Sequence, residues 1–281
     1  NGTEYLSTES ANPGNGGFCP PLNGHRVNIW RAPTDNDRHQ KVEWYLSRYD
    51  KMWHHIRTVT YSQNPGEVYI TVQGIMGAPS LNPDFLTEIQ FNISASGDIY
   101  TTVTLNPQRI EKLYHLPRAG MLIDLDRRFE TVSWFGRGPH ENYPDFKQSA
   151  MVSLYQKKVI EMHEPYIRPQ ESGNRCDVTR FALADKQGNA ILFVPDHPVS
   201  FSAHHYDLYR LEQKTHHYEV ADENLTQVSI DGYMCGLGSQ SCGLPPLEQY
   251  LIIPDHPLSF SYHMLPFNQN HCTADTLRRL L

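Results

Sequence analysis

Long hydrophobic runs are missing from this chain of 281 residues. A membrane-spanning helix needs about twenty consecutive apolar residues, and no stretch approaches that length. Positive charge is also scarce, since 24 Lys and Arg face 31 Asp and Glu and leave a net charge of −7. Binding to a phosphate backbone needs clustered Lys and Arg, so neither a membrane nor a nucleic acid is an expected partner.

Cysteine is too sparse and too scattered for a disulfide framework or a zinc site. The five residues form an odd set without a C-x-x-C spacing. Free thiols are therefore expected, which favours a reducing compartment without excluding the periplasm. Asn1–Tyr5 has neither the basic nor the apolar region of a signal peptide, so cytoplasm and periplasm both stay open. The cysteines are Cys19, Cys176, Cys235, Cys242 and Cys272.

Alternation of apolar and polar residues dominates the chain and predicts an all-β fold. In Phe85–Ser94 and Ile99–Leu105 the apolar side chains share one face, and a short polar turn separates the two runs. Phe181–Ala184 and Ala190–Val194 repeat this arrangement, so two hairpins are predicted. Further strands are predicted at Val68–Gln73, Met121–Leu125, Gln227–Ile230 and Gln249–Ile253.

Many short strands separated by turn signals predict one large antiparallel β-sandwich. A chain of this length can form such a sandwich as a single domain, here residues 1–281. Residues 1–25 are loop-like, and residues 266–281 form a C-terminal tail.

One short helix is predicted within residues 38–53. The apolar residues there follow helical spacing, and Asp35 or Asp37 is the expected cap. These apolar residues are Val42, Tyr45, Leu46, Tyr49 and Trp53.

A near-repeat joins Pro195–Ser202 and Pro254–Ser261, which both begin with Pro-Asp-His-Pro. We interpret the copies as two equivalent corners between strands, because Asp and Pro are common turn residues. The alternative is that the two Asp-His pairs are metal ligands.

Two polar segments carry the residues best suited to binding. Trp134–Asp145 ends a strand-like run and then presents Glu141 and Asn142, while Tyr166–Arg175 presents amides, Glu171 and an arginine. Carboxylates, amides, guanidinium groups and aromatic rings are the groups that hold sugar hydroxyls. The alternative is two well-capped turns of a β-protein.

Together with Trp30–Asp37 and Gly236–Gly243, these segments resemble the C-terminal β-sandwich domain of glycoside hydrolase family 2 β-galactosidases. In some relatives this domain is a separate small chain. The resemblance covers roughly residues 25–262 and implies a galactose mutarotase-like sandwich. It also implies an enzyme that hydrolyses terminal β-D-galactosides with both catalytic glutamates in an upstream barrel, so no catalytic residue and no metal is assigned to this chain. Where the complete enzyme binds magnesium and sodium, the resemblance implies that they lie in the missing catalytic portion.

The resemblance assigns roles to particular residues. In some relatives the loop matching Gly236–Gly243 carries a tryptophan that stacks on the sugar, and Cys242 stands at that position here. Glu171 and Arg175 are expected to belong to one hydrogen-bonded turn and to have a structural role, with Arg137 as another available partner. The expected substrate-binding residues are Gln240, Ser241 and Cys242, followed by Asp35, Asn36, Glu141 and Asn142.

The resemblance also implies partners: the barrel domain or large subunit of the same enzyme, a galactoside substrate, and an oligomer in the complete enzyme. Two alternatives remain. One is a carbohydrate-binding module acting alone. The other is an aldose 1-epimerase-like enzyme that uses either His140 with Glu171 or His204 for proton transfer.

Overall fold

The structure is a computed structural model that describes residues 25–79, 81–240 and 243–278. Its described strands form two sheets in which every pairing of neighbouring strands is antiparallel. In spatial order the five-stranded sheet contains β1 (His25–Asn28), β6 (Arg118–Asp126), β13 (Leu225–Met234), β12 (Val199–His204) and β9 (Arg175–Val178). The nine-stranded sheet contains β2 (Trp53–Asn64), β3 (Glu67–Gly77), β4 (Phe85–Ser94), β5 (Ile99–Pro107), β14 (Leu258–Asn268), β11 (Asn189–Pro195), β10 (Arg180–Ala184), β7 (Thr131–Gly138) and β8 (Met151–Lys158).

The core lies between the two sheets and confirms the predicted antiparallel sandwich. Apolar side chains of β6, β12 and β13 form one cluster with those of β5, β7, β10, β11 and β14. Phe181 from the larger sheet stacks on Phe201 from the smaller one, with ring centroids 4.4 Å apart. Burial of this alternating apolar face is the main favourable contribution to the fold.

Both predicted hairpins are confirmed. Ile93 lies opposite Ile99 across the first, and Gly97 supplies the positive φ of +88° that its turn requires. Ala184 lies opposite Ala190 across the second. There the Asp185 carboxylate accepts the backbone N–H of Asn189 at 2.9 Å.

The predicted helix exists as α1 (Gln40–Leu46), but its cap and its buried face differ from the prediction. Asp35–Asp37 forms a separate 3-10 turn, and His39 precedes α1. Trp44 faces the core and donates its indole N–H to the carbonyl of His115 at 3.0 Å, whereas Val42 and Leu46 are 51% and 71% exposed. Two further short helices are α2 (Leu208–Leu211) and α3 (Ala274–Arg278).

The strand predicted at Gln249–Ile253 is wrong. Glu248–Tyr250 is a 3-10 turn, and Ile252 makes only an isolated bridge with Leu116. Prolines lie on both sides of this apolar run, and they remove backbone donors that a strand ladder needs.

The two repeat copies do form corners, which lead into β12 and β14. Asp196 of the first copy accepts the hydroxyl of Tyr100, and Asp255 of the second contacts His256. The described residues contain no group of three or more His, Cys, Asp or Glu able to hold a metal ion. Within the same ranges, no helix is long and apolar enough to cross a membrane. Cys176, Cys235 and Cys272 are free, as predicted.

Candidate functional site

An open cleft of about 250 Å³ brings together parts of all four segments that the sequence singled out. These segments are far apart along the chain, so only the tertiary fold places them side by side. The cleft is lined by Thr34, Asp35, Asn36, Asp145, Phe146, Tyr166, Gln170, Glu171, Leu237, Gly238 and Ser239.

Arg31 ties the first segment to the glycine-rich loop. Its guanidinium donates to the carbonyls of Cys235 at 2.9 Å and Gly236 at 3.0 Å, and to the Asp37 carboxylate at 2.9 Å. Arg31 and Asp37 are both fully buried. A buried ion pair is better tolerated when further hydrogen bonds use the donors of the guanidinium, and these two carbonyls accept from both of its terminal nitrogens.

Asp145 ties the second segment to the same loop. Its carboxylate accepts the backbone N–H groups of Leu237 at 3.0 Å and Gly238 at 2.8 Å. Gly236 and Gly238 allow the loop to pack closely against its neighbours. A Cβ on Gly236 would lie 2.7 Å from the Asp145 carboxylate, and one on Gly238 only 2.8 Å from the Asn36 amide. Gly243, at the end of the same loop, has a positive φ of +87°, which glycine adopts without steric strain.

Glu171 of the third segment lies in the floor of the cleft and is held by Arg118 of β6 at 2.5 Å. Tyr143 donates its hydroxyl to the same carboxylate at 3.3 Å. Arg118 also contacts Asp231 at 3.5 Å. Burial raises the pKa of Asp231 to about 6, although Arg118 opposes that shift.

The predicted pairing of Glu171 with Arg175 is wrong. Arg175 donates instead to the carbonyls of Gly173 and Asn174 at 3.0 and 3.1 Å, and its guanidinium lies over the ring of Trp134. Burial lowers the pKa of Arg175 to about 10. Both residues are buried, but the partner of Glu171 comes from a distant strand.

Arg137, the other partner considered for Glu171, pairs with Asp177 at 2.5 Å. It also donates to the carbonyls of Lys147 and Ala150 at 3.0 and 2.9 Å. Its guanidinium therefore joins the loop between β7 and β8 to Asp177 of β9.

Glu141 and Asn142 join segments together and do not line the cleft. The Glu141 carboxylate accepts the hydroxyl of Tyr166 and, at 2.8 Å, the N–H of Gly173. Burial raises the pKa of Glu141. Asn142 is fully buried, and its side-chain oxygen accepts the N–H of Cys176 at 2.9 Å. The side chains of Glu141 and Asn142 are used in these contacts, and their role in substrate binding stays a prediction.

Asp35 and Asn36, two of the expected substrate-binding residues, line the cleft. The backbone N–H of Asp35 donates to the Gln170 side chain at 3.0 Å, and the amide of Gln170 donates back to the Asp35 carboxylate at 3.2 Å. Gln240 is turned away and donates to the carbonyl of Pro245 at 2.9 Å. Ser241 and Cys242 lie outside the described residues.

Four side chains that line the cleft are additional to the substrate-binding residues expected from the sequence: Asp145, Phe146, Tyr166 and Gln170. Three of them stood within the quoted segments, with Asp145 at the end of one and Tyr166 at the start of the other. The cleft thus offers carboxylate and amide acceptors together with two aromatic rings, and no lysine or arginine lines it in the described part of the chain. This combination suits a neutral ligand rich in hydroxyl groups.

The chain is similar in sequence to known β-galactosidases. The family model described as "Beta galactosidase small chain" matches residues 9–264. The β-galactosidase of Staphylococcus xylosus is 30% identical over 237 residues, which are 84% of this chain and 23% of that protein. That of Psychromonas ingrahamii is 32% identical over 264 residues, 88% of this chain and 24% of that protein. The chain therefore spans about a quarter of the length of these relatives.

Solved structures with a similar arrangement of strands are remote in sequence. A putative aldose 1-epimerase from Escherichia coli K12 is 7% identical, with a TM-score of 0.36 over 76% of this chain and 68% of that chain. An α-N-acetylgalactosaminidase from Bifidobacterium bifidum is 14% identical, with a TM-score of 0.42 over 79% of this chain and 30% of that chain.

Proposed function

Because the chain belongs to the β-galactosidase small-chain family, we propose that it is the C-terminal domain or small subunit of an enzyme that hydrolyses terminal β-D-galactosides. It completes one wall of the active site and supports assembly with the catalytic barrel portion, its principal partner. One observation carries this proposal: the four segments that resemble the family meet at a single open cleft.

The surface around the cleft fits contact with another protein domain. Ile167 is 88% exposed, and it follows Tyr166, whose partly exposed ring lines the cleft beside that of Phe146. Exposed apolar residues grouped at one place are typical of a protein–protein contact. The hydrogen-bond acceptors that line the cleft then face the hydroxyl groups of a substrate held by the barrel.

Catalysis itself is assigned to the barrel portion. Hydrolysis of a glycoside with retention needs two carboxyl groups flanking the bond, one as acid and one as nucleophile. Glu141 is bound by Tyr166 and Gly173, and Glu171 is bound by Arg118, so both carboxylates already have partners inside the protein. Magnesium and sodium, where the complete enzyme uses them, belong with the catalytic glutamates in that portion.

The epimerase alternative finds no support in the geometry. His140 is exposed and hydrogen-bonds Ser149, while Glu171 is buried against Arg118, so the two do not form an acid–base pair. His204 hydrogen-bonds the carbonyl of Ser172.

The proposal is tested by complementation. We expect the purified chain to hydrolyse no nitrophenyl β-D-galactoside, and to give turnover when combined with the part of the Staphylococcus xylosus enzyme that lies outside the matched region. Turnover by the chain alone, or its failure to complement while the matched region of the relative succeeds, would overturn the proposal.

In the complemented enzyme, Asn36→Ala should raise KM about two- to tenfold, the range expected for one lost hydrogen bond. Asn106→Ala is the matched control, because this exposed amide lies on the nine-stranded sheet away from the cleft. Equal KM values for the two variants would remove Asn36 from the substrate wall.

A further inference from the structure

A second cavity, of about 300 Å³, adjoins the segment that follows β8. His163 and Pro165 line this cavity, whereas Tyr166 and Glu171 of the same segment line the cleft. The cavity is therefore separate from the proposed active-site wall, with the segment between them. Its lining consists of Val159, Ile160, His163, Pro165, His204, His205, Tyr206, His217, Tyr218, Val220, Ala221 and Asp222.

Aromatic and imidazole rings build the inner side of this cavity, which we name the histidine cavity. His204 stacks on Tyr206 with centroids 4.7 Å apart, and His163 meets Tyr206 edge-on at 5.4 Å. The hydroxyl of Tyr206 lies 2.9 Å from Nδ1 of His163, which fixes that ring. Flat rings held in place in this way can pack against a flat ligand at little cost in conformational entropy.

Burial disfavours the charged form of the inner histidines. Burial lowers the pKa of His163, with a smaller effect from neighbouring His217, and burial lowers the pKa of His204 well below its usual value. Asp222 at the rim is already paired with Arg127 at 2.6 Å. The inner part of the cavity therefore suits a neutral ligand better than an ion.

Polar groups remain available to such a ligand. Nδ1 of His163 faces Tyr206, and Nε2 has no hydrogen-bond partner among the described residues. The His217 side chain likewise has no hydrogen-bond partner within those ranges, and it stands at the rim beside Tyr218, which is 74% exposed. A ligand with a flat apolar face and several hydroxyl groups can use both the rings and these imidazole nitrogens.

We propose that the histidine cavity is an accessory binding site for a neutral pyranoside. The C–H face of the sugar packs against the rings of Tyr206 and Tyr218, and its hydroxyl groups bond to His163 and His217. The volume accommodates one monosaccharide unit. No chemistry is assigned, since Asp222 is the only carboxylate that lines the cavity among the described residues, and it is held by Arg127.

The proposal is tested on the whole chain labelled with [¹³C]histidine, because imidazole signals report directly on the cavity. Methyl β-D-galactoside, methyl β-D-glucoside and methyl β-D-mannoside are titrated to about 50 mM, which detects dissociation constants in the millimolar range. For at least one sugar we expect the signals of His163 and His217 to move to saturation. The signal of exposed His256, outside the cavity, should stay in place.

Matched variants locate the binding. Tyr218→Ala should weaken it about three- to tenfold, the effect of one lost aromatic contact, while Tyr61→Ala, which removes a tyrosine 80% exposed on β2, should leave it unchanged. Three outcomes overturn the proposal: no movement with any of the sugars, binding that survives Tyr218→Ala and His217→Ala, or binding that is lost in Asn36→Ala and so belongs to the cleft. None of them depends on turnover, so the result is independent of the complementation test.

Discussion

Arg118 holds the floor of the cleft, since its buried guanidinium joins Glu171, Asp231 and Ser229. All three contacts come from residues distant in sequence. Each ion is paired inside the sandwich, and removing one partner leaves a buried charge without compensation. The cost of such a change is far larger than the cost of breaking a pair at the surface.

We therefore expect Arg118→Met to lower the free energy of unfolding by about 3–5 kcal/mol, measured by urea titration. Arg127→Met is the matched control. Arg127 pairs with Asp222 at a similar distance, but both side chains are partly exposed, so its loss should cost about 0–1 kcal/mol.

The double variant Arg118→Met/Glu171→Gln separates charge from shape. Because the double variant removes the charges of both Arg118 and Glu171, it should recover part of the stability lost in Arg118→Met. Similar losses for Arg118→Met and Arg127→Met would show that the ion pair beneath the cleft does not behave as buried.

At the scale of elements, the glycine-rich loop depends on a carboxylate from another loop. Asp145 satisfies two consecutive backbone N–H groups, at Leu237 and Gly238, and so fixes the turn against the Trp134–Asp145 segment. Local sequence offers these N–H groups no substitute acceptor of comparable strength, because charge-assisted hydrogen bonds are about twice as strong as neutral ones.

Asp145→Ala should therefore increase amide hydrogen exchange at Leu237 and Gly238 and lower the free energy of unfolding by about 1–3 kcal/mol. Asp145→Asn retains one side-chain acceptor and should lie between this variant and the wild type. Asp255→Ala, in an exposed corner, is the control and should leave exchange in the loop unchanged. Unaltered exchange in Asp145→Ala would mean that the loop holds its shape without this carboxylate.

At the scale of the whole molecule, buried imidazoles couple stability to pH. Burial lowers the pKa of His115 and of His205 to about 4. Below about pH 6.5 the unfolded chain therefore binds protons that the native protein does not bind. The contribution of these residues to stability is present above about pH 6.5 and is lost as the pH falls toward 4. Asp231 acts in the opposite direction, because its raised pKa of about 6 favours the native state at low pH and this contribution is lost as the pH rises through 6.

Substitution should separate the two effects. Between about pH 6.5 and 4, His115→Gln should lose stability less steeply than the wild type, by up to about 1.4 kcal/mol per pH unit, and Asp231→Asn should lose it more steeply. Urea titrations across this range measure the slopes, and His256→Gln, at an exposed site, should match the wild type. Slopes that change in the same direction for the two buried variants would contradict these assignments.

The sequence by itself determined the class of fold and most of its strands. Alternation of apolar residues is a local property, and one face must be buried, so the hairpins around Gly97 and Asp185 follow directly from it. The order of the four polar segments also sufficed to indicate the family, and Asp35 and Asn36 of the first segment line the cleft where these segments meet. The pattern failed at Gln249–Ile253 because the neighbouring prolines interrupt a strand. It failed for α1 because the helix buries Trp44 and leaves Val42 and Leu46 exposed.

Only the tertiary structure decided which polar groups meet. Glu171 lies four residues from Arg175, yet its partner is Arg118, more than fifty residues away in the opposite direction. Asp145 likewise finds its donors in a loop some ninety residues further along the chain. A buried charge selects a partner by the distance and desolvation that the packed sheets impose, and sequence separation does not encode either quantity.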